Sequence, residues 1–251
     1  MIFKYLSLNI WHGGTIFDKM WSFLQKENAD IMALQEVYNG LNETWQINFR
    51  TMMVFQKKLK DYNSYFSPEF AVVRPEGKID LGNAVFTRFS IINRKTIFIN
   101  GQYQESRLGR TDCSDEPKNI QHLKLKIGNK KLNIFNLHGV WGFDGKDNSA
   151  RLAMSKLIVE KIKDKKNVIL SGDFNVRPDT KTIRNIEKHL TNVFKGRLKT
   201  TFNMKRKPKK GGYKDSVVDM VFHSSDITLL DSYCPQLDIS DHMPLVCKFE
   251  V

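Results

Sequence analysis

The stretch Val168-Ile-Leu-Ser-Gly-Asp173-Phe-Asn175 contains the most informative strand in this sequence. It begins as a short apolar run without alternation between apolar and polar side chains, which is typical of a strand buried on both faces. It then passes through a glycine to Asp173 and Asn175, whose side chains carry hard oxygen atoms. The stretch therefore predicts an internal strand with a polar cluster at its C-terminal end.

Further apolar runs predict a protein of many strands and four helices. Strand-length runs lie near residues 2–10, 31–34, 84–86, 91–99, 122–127, 132–137, 168–170, 217–222, 227–230 and 245–251. Segments with apolar residues three or four apart, the spacing of amphipathic helices, lie near 20–24, 45–53, 154–162 and 183–190. We expect Asp147, Asn148 or Ser149 to cap the third helix and Asp179 the fourth. Because strands such as 168–170 need cover on both sides, two packed sheets with helices outside follow.

Length and composition predict one soluble α/β domain over residues 1–251. The chain has 251 residues, 41% of them hydrophobic, and its turn signals are spread evenly without repeats or linkers. No apolar stretch approaches the ~20 residues of a transmembrane helix. The three cysteines, Cys113, Cys234 and Cys247, show no disulfide spacing, which favours reduced thiols and a cytoplasmic location. We expect a monomer.

The charge balance favours a polyanionic partner. Lysine and arginine exceed aspartate and glutamate by 40 − 27 = 13. An excess of this size raises affinity for nucleic acid or an anionic membrane face. The alternative is an ordinary lysine-rich surface that serves solubility.

Three apolar runs lead into side chains that suit a hard cation or a phosphate. They are Leu6-Ser-Leu-Asn9, Ile31-Met-Ala-Leu-Gln-Glu36 and the run to Asp173. Side chains at the C-terminal edge of a sheet commonly form the site of a layered α/β protein. Any one of these residues alone is also typical of a turn or cap.

A fourth element, Ser240-Asp241-His242, stands before the last strand rather than after one. If that strand is antiparallel to the others, its entrance lies at the same edge as their exits, and Asp241 and His242 join the cluster. Asp219 interrupts an apolar strand, where an unpaired carboxylate would be costly, so it needs a partner. His242 is available for that pairing.

Seven short motifs follow one another along the chain: Leu8-Asn-Ile, Leu34-Gln-Glu-Val37, Gly82-Asn-Ala-Val-Phe-Thr-Arg88, Asn136-Leu-His138, Ser171-Gly-Asp-Phe-Asn175, Val218-Asp-Met-Val-Phe222 and Ser240-Asp-His242. These motifs, in this order, resemble the endonuclease/exonuclease/phosphatase superfamily, and the resemblance spans the chain. The resemblance implies a four-layer α/β sandwich of two mixed β-sheets flanked by helices, in a single domain. It also implies a divalent-metal-dependent phosphodiesterase or phosphatase.

The resemblance implies a role for each motif residue. Glu36 is the principal metal ligand, with Asn9 beside it and Asp241 near the metal, and this all-oxygen set favours Mg²⁺ or Mn²⁺ over zinc. Asp173 orients or deprotonates the attacking water. Asn175 holds a phosphoryl oxygen, and we expect both side chains to face one phosphate because residues two apart on an extended strand point the same way.

The histidines complete the expected machinery. By the same resemblance, His242 contacts the phosphate and Asp219 orients it, while His138 gives a proton to the leaving oxygen. Asn83 supports either the phosphate or a histidine, and we group it with the substrate-binding residues. The remaining histidines match no motif and are interpreted as structural or exposed; they are His12, His122, His189 and His223.

A basic run, Lys205-Arg-Lys-Pro-Lys-Lys210, followed by Gly211-Gly212-Tyr213, predicts a flexible basic loop. Lys205, Arg206 and Lys207 are candidate substrate-binding residues, because basic and aromatic side chains together follow a phosphate backbone. The alternative is a solvated loop.

The basic run and the excess of positive charge lead us to expect a nuclease or DNA-end phosphodiesterase. An enzyme acting on inositol phosphates, phospholipid head groups or other small phosphoesters is the second hypothesis, and a catalytically silent binding domain is the third.

Overall fold

Two mixed β-sheets form the centre of the molecule. The structure, a computed structural model, describes residues 1–75, 77–106, 112–207 and 215–251. The strands are β1 (Ile2–Asn9), β2 (Ile31–Asn39), β3 (Asn63–Arg74), β4 (Gly77–Thr87), β5 (Ser90–Asn100), β6 (Glu105–Ser106), β7 (Lys118–Ile127), β8 (Lys130–His138), β9 (Val168–Asp173), β10 (Thr191–Asn192), β11 (Asp219–His223), β12 (Thr228–Tyr233) and β13 (Leu245–Glu250). The helices are α1 (Phe17–Glu27), α2 (Thr51–Lys58), α3 (Ser149–Ile162) and α4 (Lys181–Glu187), with a 3-10 turn at Ile47–Arg50 before α2.

The sheets pack face to face and the helices cover their outer faces. One sheet has seven strands in the order β12-β13-β1-β2-β4-β3-β6, and the other has six in the order β10-β11-β9-β8-β7-β5. Apolar side chains from both sheets, such as Tyr5, Leu123 and Val221, form the core between them. Helices α1 and α2 cover the first sheet and α3 and α4 cover the second. The predicted four-layer sandwich in a single domain is confirmed.

Strand directions bring the polar ends of both sheets to one edge. β13 runs antiparallel to β1, with Leu245 opposite Ser7, so the segment that enters β13 lies beside the end of β1, as the sequence predicted. In the second sheet β8 and β9 are parallel, with His138 opposite Asp173. β11 is antiparallel to β9 and begins at Asp219, opposite the same aspartate.

One glycine in β9 allows β8 to approach. Gly172 has φ +143°, and a Cβ atom there would lie 1.9 Å from the carbonyl oxygen of Leu137. Any side chain at this position would push β8 and β9 apart. Gly172 therefore maintains the pairing that sets Asp173 beside His138.

The helix caps differ in part from expectation. Asn148 caps α3 by accepting a hydrogen bond from the Arg151 backbone N–H at 2.8 Å, as one of the three predicted alternatives. Thr180, not Asp179, caps α4. Asp147 also accepts the backbone N–H of Lys181 at 2.7 Å, so a carboxylate from another loop meets the first turn of α4. Sequence alone does not reveal such a long-range cap.

The longest strand was not expected from the sequence. β3 covers twelve residues, but Pro68 and Glu69 interrupt its apolar pattern, and its pairing with β4 shifts register between Pro68 and Phe70. Proline and an isolated charge both argue against a central strand.

No helix among the described ranges combines the length and apolar character needed to span a bilayer. Cys234 and Cys247 are free thiols.

Candidate active site

The sequence predicts Glu36 at the end of a strand. In the structure it lies at a β-bulge within β2. The pairing of β2 with β4 shifts register between Leu34 and Val37, and Glu36 has φ +57°. A bulge turns a side chain out of the ordinary alternation, and the left-handed conformation is unfavourable for a residue with a side chain. Such strain is concentrated at functional sites.

The Glu36 carboxylate is anionic and is bound by neutral donors. Oε1 accepts a hydrogen bond from Asn9 Nδ2 at 3.0 Å, and Oε2 accepts one from the His12 backbone N–H at 2.7 Å. Burial would raise the pKa of Glu36, but the charges of His12 and His138 and these hydrogen bonds hold that pKa well below its usual range. Among the described residues, no lysine or arginine forms an ion pair with it.

Asn9 joins the parts of the site. Its Nδ2 also donates to Asp173 Oδ2 at 3.2 Å, and its Oδ1 accepts the Trp11 backbone N–H at 3.0 Å. Its carbonyl oxygen accepts the Ser240 hydroxyl at 2.7 Å. The side-chain amide of Asn9 therefore lies between the carboxylates of Glu36 and Asp173, and its backbone carbonyl holds the segment before β13.

Asp219 and His242 form the pair predicted from the sequence. Asp219 Oδ2 lies 2.8 Å from His242 Nδ1, and both side chains are buried. His242 Nε2 lies 3.8 Å from Asp173 Oδ2 and 3.9 Å from Asp241 Oδ1. Burial lowers the pKa of His242, but the three carboxylates outweigh it and raise the pKa to about 10. The imidazole is therefore protonated at neutral pH.

His138 lies on the other side of Asp173. Its Nε2 is 3.8 Å from Asp173 Oδ2, and its Nδ1 is 3.5 Å from Glu69 Oε2, an ion-pair contact longer than an ordinary hydrogen bond. Burial and Lys118 lower the pKa of His138, but Glu69 and Asp173 more than compensate and raise it above the usual value. Each histidine thus has one carboxylate behind it and shares Asp173 in front.

Glu69 and Lys118 are site residues that the sequence analysis missed. Glu69 is fully buried and forms an ion pair with the equally buried Lys118, whose Nζ lies 3.3 Å from Glu69 Oε2. Lys118 Nζ is also 3.5 Å from Glu116 Oε2. The signal that identified Asp219, a charge within an apolar strand, exists at Glu69 as well, but it required recognising β3.

Asn83 lies behind Glu69 rather than at the mouth of the site. It is fully buried, and its Nδ2 donates to Glu69 Oε1 at 3.0 Å and to both side-chain and backbone oxygens of Asn119 at 3.1 Å. Of the two expected roles, this position fits support of a histidine, through Glu69. It does not fit direct contact with substrate, which corrects its grouping with the substrate-binding residues.

Asn175 reaches the site by a turn, not by an extended strand. β9 ends at Asp173, Asn175 has φ +54°, and its backbone N–H donates to Asp173 Oδ1 at 2.9 Å. The expected side-by-side arrangement of residues two apart on a strand is therefore wrong. Its Nδ2 donates to Gly139 O at 3.2 Å, beside His138.

A buried arginine fixes this turn. Arg151, from α3, is 1% exposed and donates to the carbonyl oxygens of Val140 at 3.1 Å, Lys146 at 2.6 Å and Asn175 at 2.7 Å. It ties the loop after His138 to the turn that carries Asn175. Because the main partners of Arg151 are backbone carbonyl oxygens, no pattern of side chains in the sequence predicts this role.

The described half of the basic run lies beside the site, while most of the expected flexible loop falls outside the described residues. Phe202 pairs with His242 in an isolated β-bridge, and their rings lie 4.9 Å apart. Lys207 Nζ donates to Asp241 Oδ2 at 2.9 Å and lies 4.2 Å from the centre of the Phe202 ring. The second half of the run, with Lys209, Lys210 and Tyr213, lies outside the described residues.

The other two basic residues differ in their surroundings. Arg206 binds Asp238 through two hydrogen bonds of 2.7 and 2.6 Å. The side chain of Lys205 is exposed, while its backbone N–H donates to Asn203 Oδ1 at 3.1 Å. Only Lys207 therefore contacts a residue expected to lie near the metal.

Two sets of side chains in this site have the chemistry of a metal centre. Asp173, Asp219 and His242 offer atoms within 4.8 Å of one another. The 2.8 Å contact between Asp219 and His242, however, is a charge-assisted hydrogen bond and leaves no space for a cation between those atoms. Glu36 with Asn9 and Asp241 fits a hard divalent cation better, because Glu36 is an anionic oxygen donor that pairs with no lysine or arginine among the described residues.

His12 is exposed, as expected, but it is part of the rim of the site. Its side chain is 63% exposed and its Nδ1 lies 3.4 Å from Glu36 Oε2. Trp11 and His12 both have positive φ, followed by Gly13 and Gly14. This left-handed turn directs the His12 backbone N–H to Glu36.

Comparison with known proteins agrees with this geometry. Residues 6–242 match the Endonuclease/Exonuclease/phosphatase family, and the chain belongs to that family. Its members are divalent-metal-dependent hydrolases of phosphate esters, so the protein is an enzyme of that class. A search of curated proteins found no match.

Solved structures with the same fold come from different enzymes. A Bacteroides vulgatus family member is 18% identical with TM-score 0.71, covering 100% of this chain and 99% of its own. A mannosyl-6-phosphatase from Bacteroides thetaiotaomicron is 19% identical with TM-score 0.69, covering 99% and 100%. TDP2 from D. rerio, complexed with single strand DNA product, is 16% identical with TM-score 0.71, covering 100% and 99%. At these identities the likeness establishes the fold and leaves the substrate open.

Proposed function

We propose that this protein is a Mg²⁺- or Mn²⁺-dependent nuclease or DNA-end phosphodiesterase that acts by in-line attack of water on phosphorus. The observation that carries the proposal is the convergence of His138 and His242 on Asp173. Both Nε2 atoms lie 3.8 Å from the same oxygen, and each imidazole has a second carboxylate behind it. This arrangement supplies a carboxylate base and two imidazoles whose pKa values are raised, all at one edge.

Glu36, Asn9 and Asp241 would hold the cation. Glu36 contributes an anionic oxygen, Asn9 has a free lone pair on Oδ1, and Asp241 directs Oδ1 toward the site while Oδ2 binds Lys207. When bound, a divalent cation offsets the negative charge that grows on the phosphoryl group.

The remaining residues divide the work of one displacement. Asp173 positions the attacking water and accepts its proton, and Asn175 contacts a phosphoryl oxygen. His242, held protonated by Asp219, stabilises charge on the phosphoryl oxygens. His138, held by Glu69, donates a proton to the leaving oxygen.

Nucleic acid is the favoured substrate because of the net charge of +13 and the basic run beside the site. One observation favours the second candidate, an enzyme for small phosphoesters: Arg206 and Lys207 are both held in ion pairs and are not free to follow a long backbone. Reduced cysteines support a cytoplasmic location, and we propose a monomer.

A substrate panel with Mg²⁺ tests the proposal. It comprises single- and double-stranded DNA, RNA, 5′-tyrosyl DNA ends, inositol phosphates and sphingomyelin. We expect turnover of a nucleic acid substrate with a KM that rises steeply with salt, because several phosphates are bound. Turnover of an inositol phosphate alone, with little salt dependence, would replace the nuclease assignment by the second candidate.

A further inference from the structure

The outer face of the six-stranded sheet carries a group of lysines far from the catalytic edge. We call this group the distal lysine face; it consists of Lys95, Lys124, Lys126, Lys131 and Lys165, arranged around His122. All five lysines are exposed or half-buried. Lys131 and His138 lie at opposite ends of β8, seven residues or about 23 Å apart.

Strand register places these side chains on one surface. Leu123, Leu125 and Leu132 point into the core between the sheets, so the alternate residues Lys124, Lys126 and Lys131 point outward. Lys95 lies directly opposite His122 on the neighbouring strand. His122 bonds Asn133 through Nε2 at 3.0 Å, and Asn133 Nδ2 bonds the carbonyl oxygen of Lys166, which holds the 163–167 turn at this surface.

The lysines repel one another. Lys126 and Lys131 stand directly opposite each other on β7 and β8, an arrangement that destabilises a sheet. Within the described ranges, none of the five lysines forms a salt bridge. The nearby acid Asp226 is already bound by the Asn167 backbone N–H at 2.8 Å, while Asp164 lies in the turn beside Lys165.

The positive charge of the lysines also affects the pKa of His122 at the centre of the face. Burial lowers the pKa of His122, and Lys165, Lys124 and Lys95 lower it further, against the opposing hydrogen bond to Asn133. The five lysines therefore concentrate positive charge on this face, and none of them forms an ion pair within the described ranges. A bound polyanion would relieve their repulsion.

We propose that the distal lysine face is a second binding surface, which holds the phosphate backbone of a nucleic acid while the catalytic edge acts on another part of it. The lysines are spread over neighbouring strands and, on β7, stand two residues apart, and such a spread of charge matches repeated anionic groups better than one phosphate. The face extends the function proposed above and relies on it only for the choice of nucleic acid.

An anionic membrane is the less suitable partner. Surfaces that enter a bilayer combine basic residues with a substantial apolar face. The distal lysine face presents lysines around the half-buried His122, and the exposed large apolar residues near it are Ile92 on β5 and Met1, whose side chain lies beside Gly128 in the turn between β7 and β8. A nucleic acid backbone needs no such insertion.

Two triple variants separate this surface from net charge. Lys124→Gln/Lys126→Gln/Lys131→Gln removes three charges from the face. Lys57→Gln/Lys78→Gln/Lys195→Gln removes three charges from lysines paired with Glu43, Glu105 and Glu187. Both triple variants lower the net charge from +13 by three, to +10.

Binding of a fluorescent 40-base-pair DNA is then measured in chelator over a salt series, so that no turnover intervenes. The face variant should bind about tenfold more weakly at low salt, and its slope of log affinity against log salt should fall by about two to three, since each lost phosphate contact removes about 0.9. The control variant should keep the wild-type slope. Equal losses in both variants would show a net-charge effect and overturn the proposal.

Parallel measurements keep the outcomes distinct. Turnover of a small chromogenic phosphodiester should be equal in wild type and face variant. If wild type with Mg²⁺ hydrolyses neither this ester nor any nucleic acid of the substrate panel while the DNA-binding result holds, the proposed function fails and the second surface stands. If only binding to phosphatidylserine vesicles depends on the face, the nucleic acid proposal is overturned. Circular dichroism checks folding, and the single variant Lys126→Gln, at an exposed position, repeats the test if the triple variant is unstable.

Discussion

His138 and His242 approach the same carboxylate oxygen, Asp173 Oδ2, each with its Nε2 atom at 3.8 Å. Their other nitrogens face different acids, Glu69 and Asp219. Two imidazoles on opposite sides of one carboxylate can serve opposite ends of a displacement at phosphorus. This division of labour leads to predictions in which the two histidines behave differently.

If His138 protonates the leaving oxygen, His138→Ala should lower kcat/KM by about 10²- to 10⁴-fold with an alkoxide leaving group. The loss should be much smaller with a p-nitrophenyl ester, whose leaving group needs no proton. His242→Ala should impair both substrates, because phosphoryl charge needs stabilisation whatever leaves. The comparison requires steady-state kinetics of both variants on both esters. An equal loss on both esters for His138→Ala would reject the general-acid role.

Glu69 should act through His138 and not on the substrate. Glu69→Gln keeps the shape of the side chain but removes the charge that raises the pKa of His138, so the acidic form of His138 should be lost at lower pH. We expect the basic limb of the pH profile of kcat to move to lower pH, and the effects of Glu69→Gln and His138→Ala to be strongly non-additive. The partner Lys118 would be left without its main acid, so thermal unfolding of the variant must be measured too. Additive losses would separate the two residues.

Lys207 should restrain metal binding at Asp241. Its ammonium lies 2.9 Å from Asp241 Oδ2, and a positive charge there opposes a cation on the same carboxylate. Lys207→Met should therefore bind Mg²⁺ or Mn²⁺ several-fold more tightly in calorimetry, whereas Lys207→Arg should resemble wild type. Arg206→Gln is the control, because Arg206 pairs with Asp238 instead. Unchanged or weaker metal affinity in Lys207→Met would contradict this reading of the ion pair.

His242 should make the metal-free protein less stable at alkaline pH. Its pKa is raised from 6.5 to about 10 in the folded state, so its stabilising contribution is complete below pH 6.5 and is lost as the pH rises towards 10. Urea unfolding in chelator should show a falling free energy of unfolding across that window. His242→Asn should show a smaller fall, and an identical fall in both proteins would place the titration elsewhere.

Much of the site followed from sequence because its residues stand in recognisable relation to strands. Asp241 and His242 were assigned to the site from the direction of one strand, and Asp219 from the cost of an unpaired buried carboxylate, and the structure confirms both placements. The four-layer fold followed from strands that are apolar on both faces together with the resemblance.

Other parts depend on contacts that sequence does not reveal. Glu69 is not predicted from the sequence because Pro68 breaks the apolar pattern of β3. Lys118 is not predicted because its sequence does not distinguish it from a surface lysine until its partner Glu69 is known. The bulge at Glu36 arises from the pairing of β2 with β4, and the anchoring of Lys207 from its distant partner Asp241. Long-range pairing, not local propensity, decides each of them.

The proposed mechanism requires that Glu36 holds the divalent cation on which hydrolysis depends. Its most direct test is a titration of Mg²⁺ into chelator-treated wild type and Glu36→Gln, with turnover of a phosphodiester and metal binding by calorimetry measured on the same samples. We expect a saturable rise in turnover for wild type that parallels metal binding. Glu36→Gln should show neither while it unfolds at a temperature close to that of wild type. Full turnover of wild type in excess chelator, or wild-type metal binding and turnover in Glu36→Gln, would show that Glu36 does not hold a cation needed for hydrolysis.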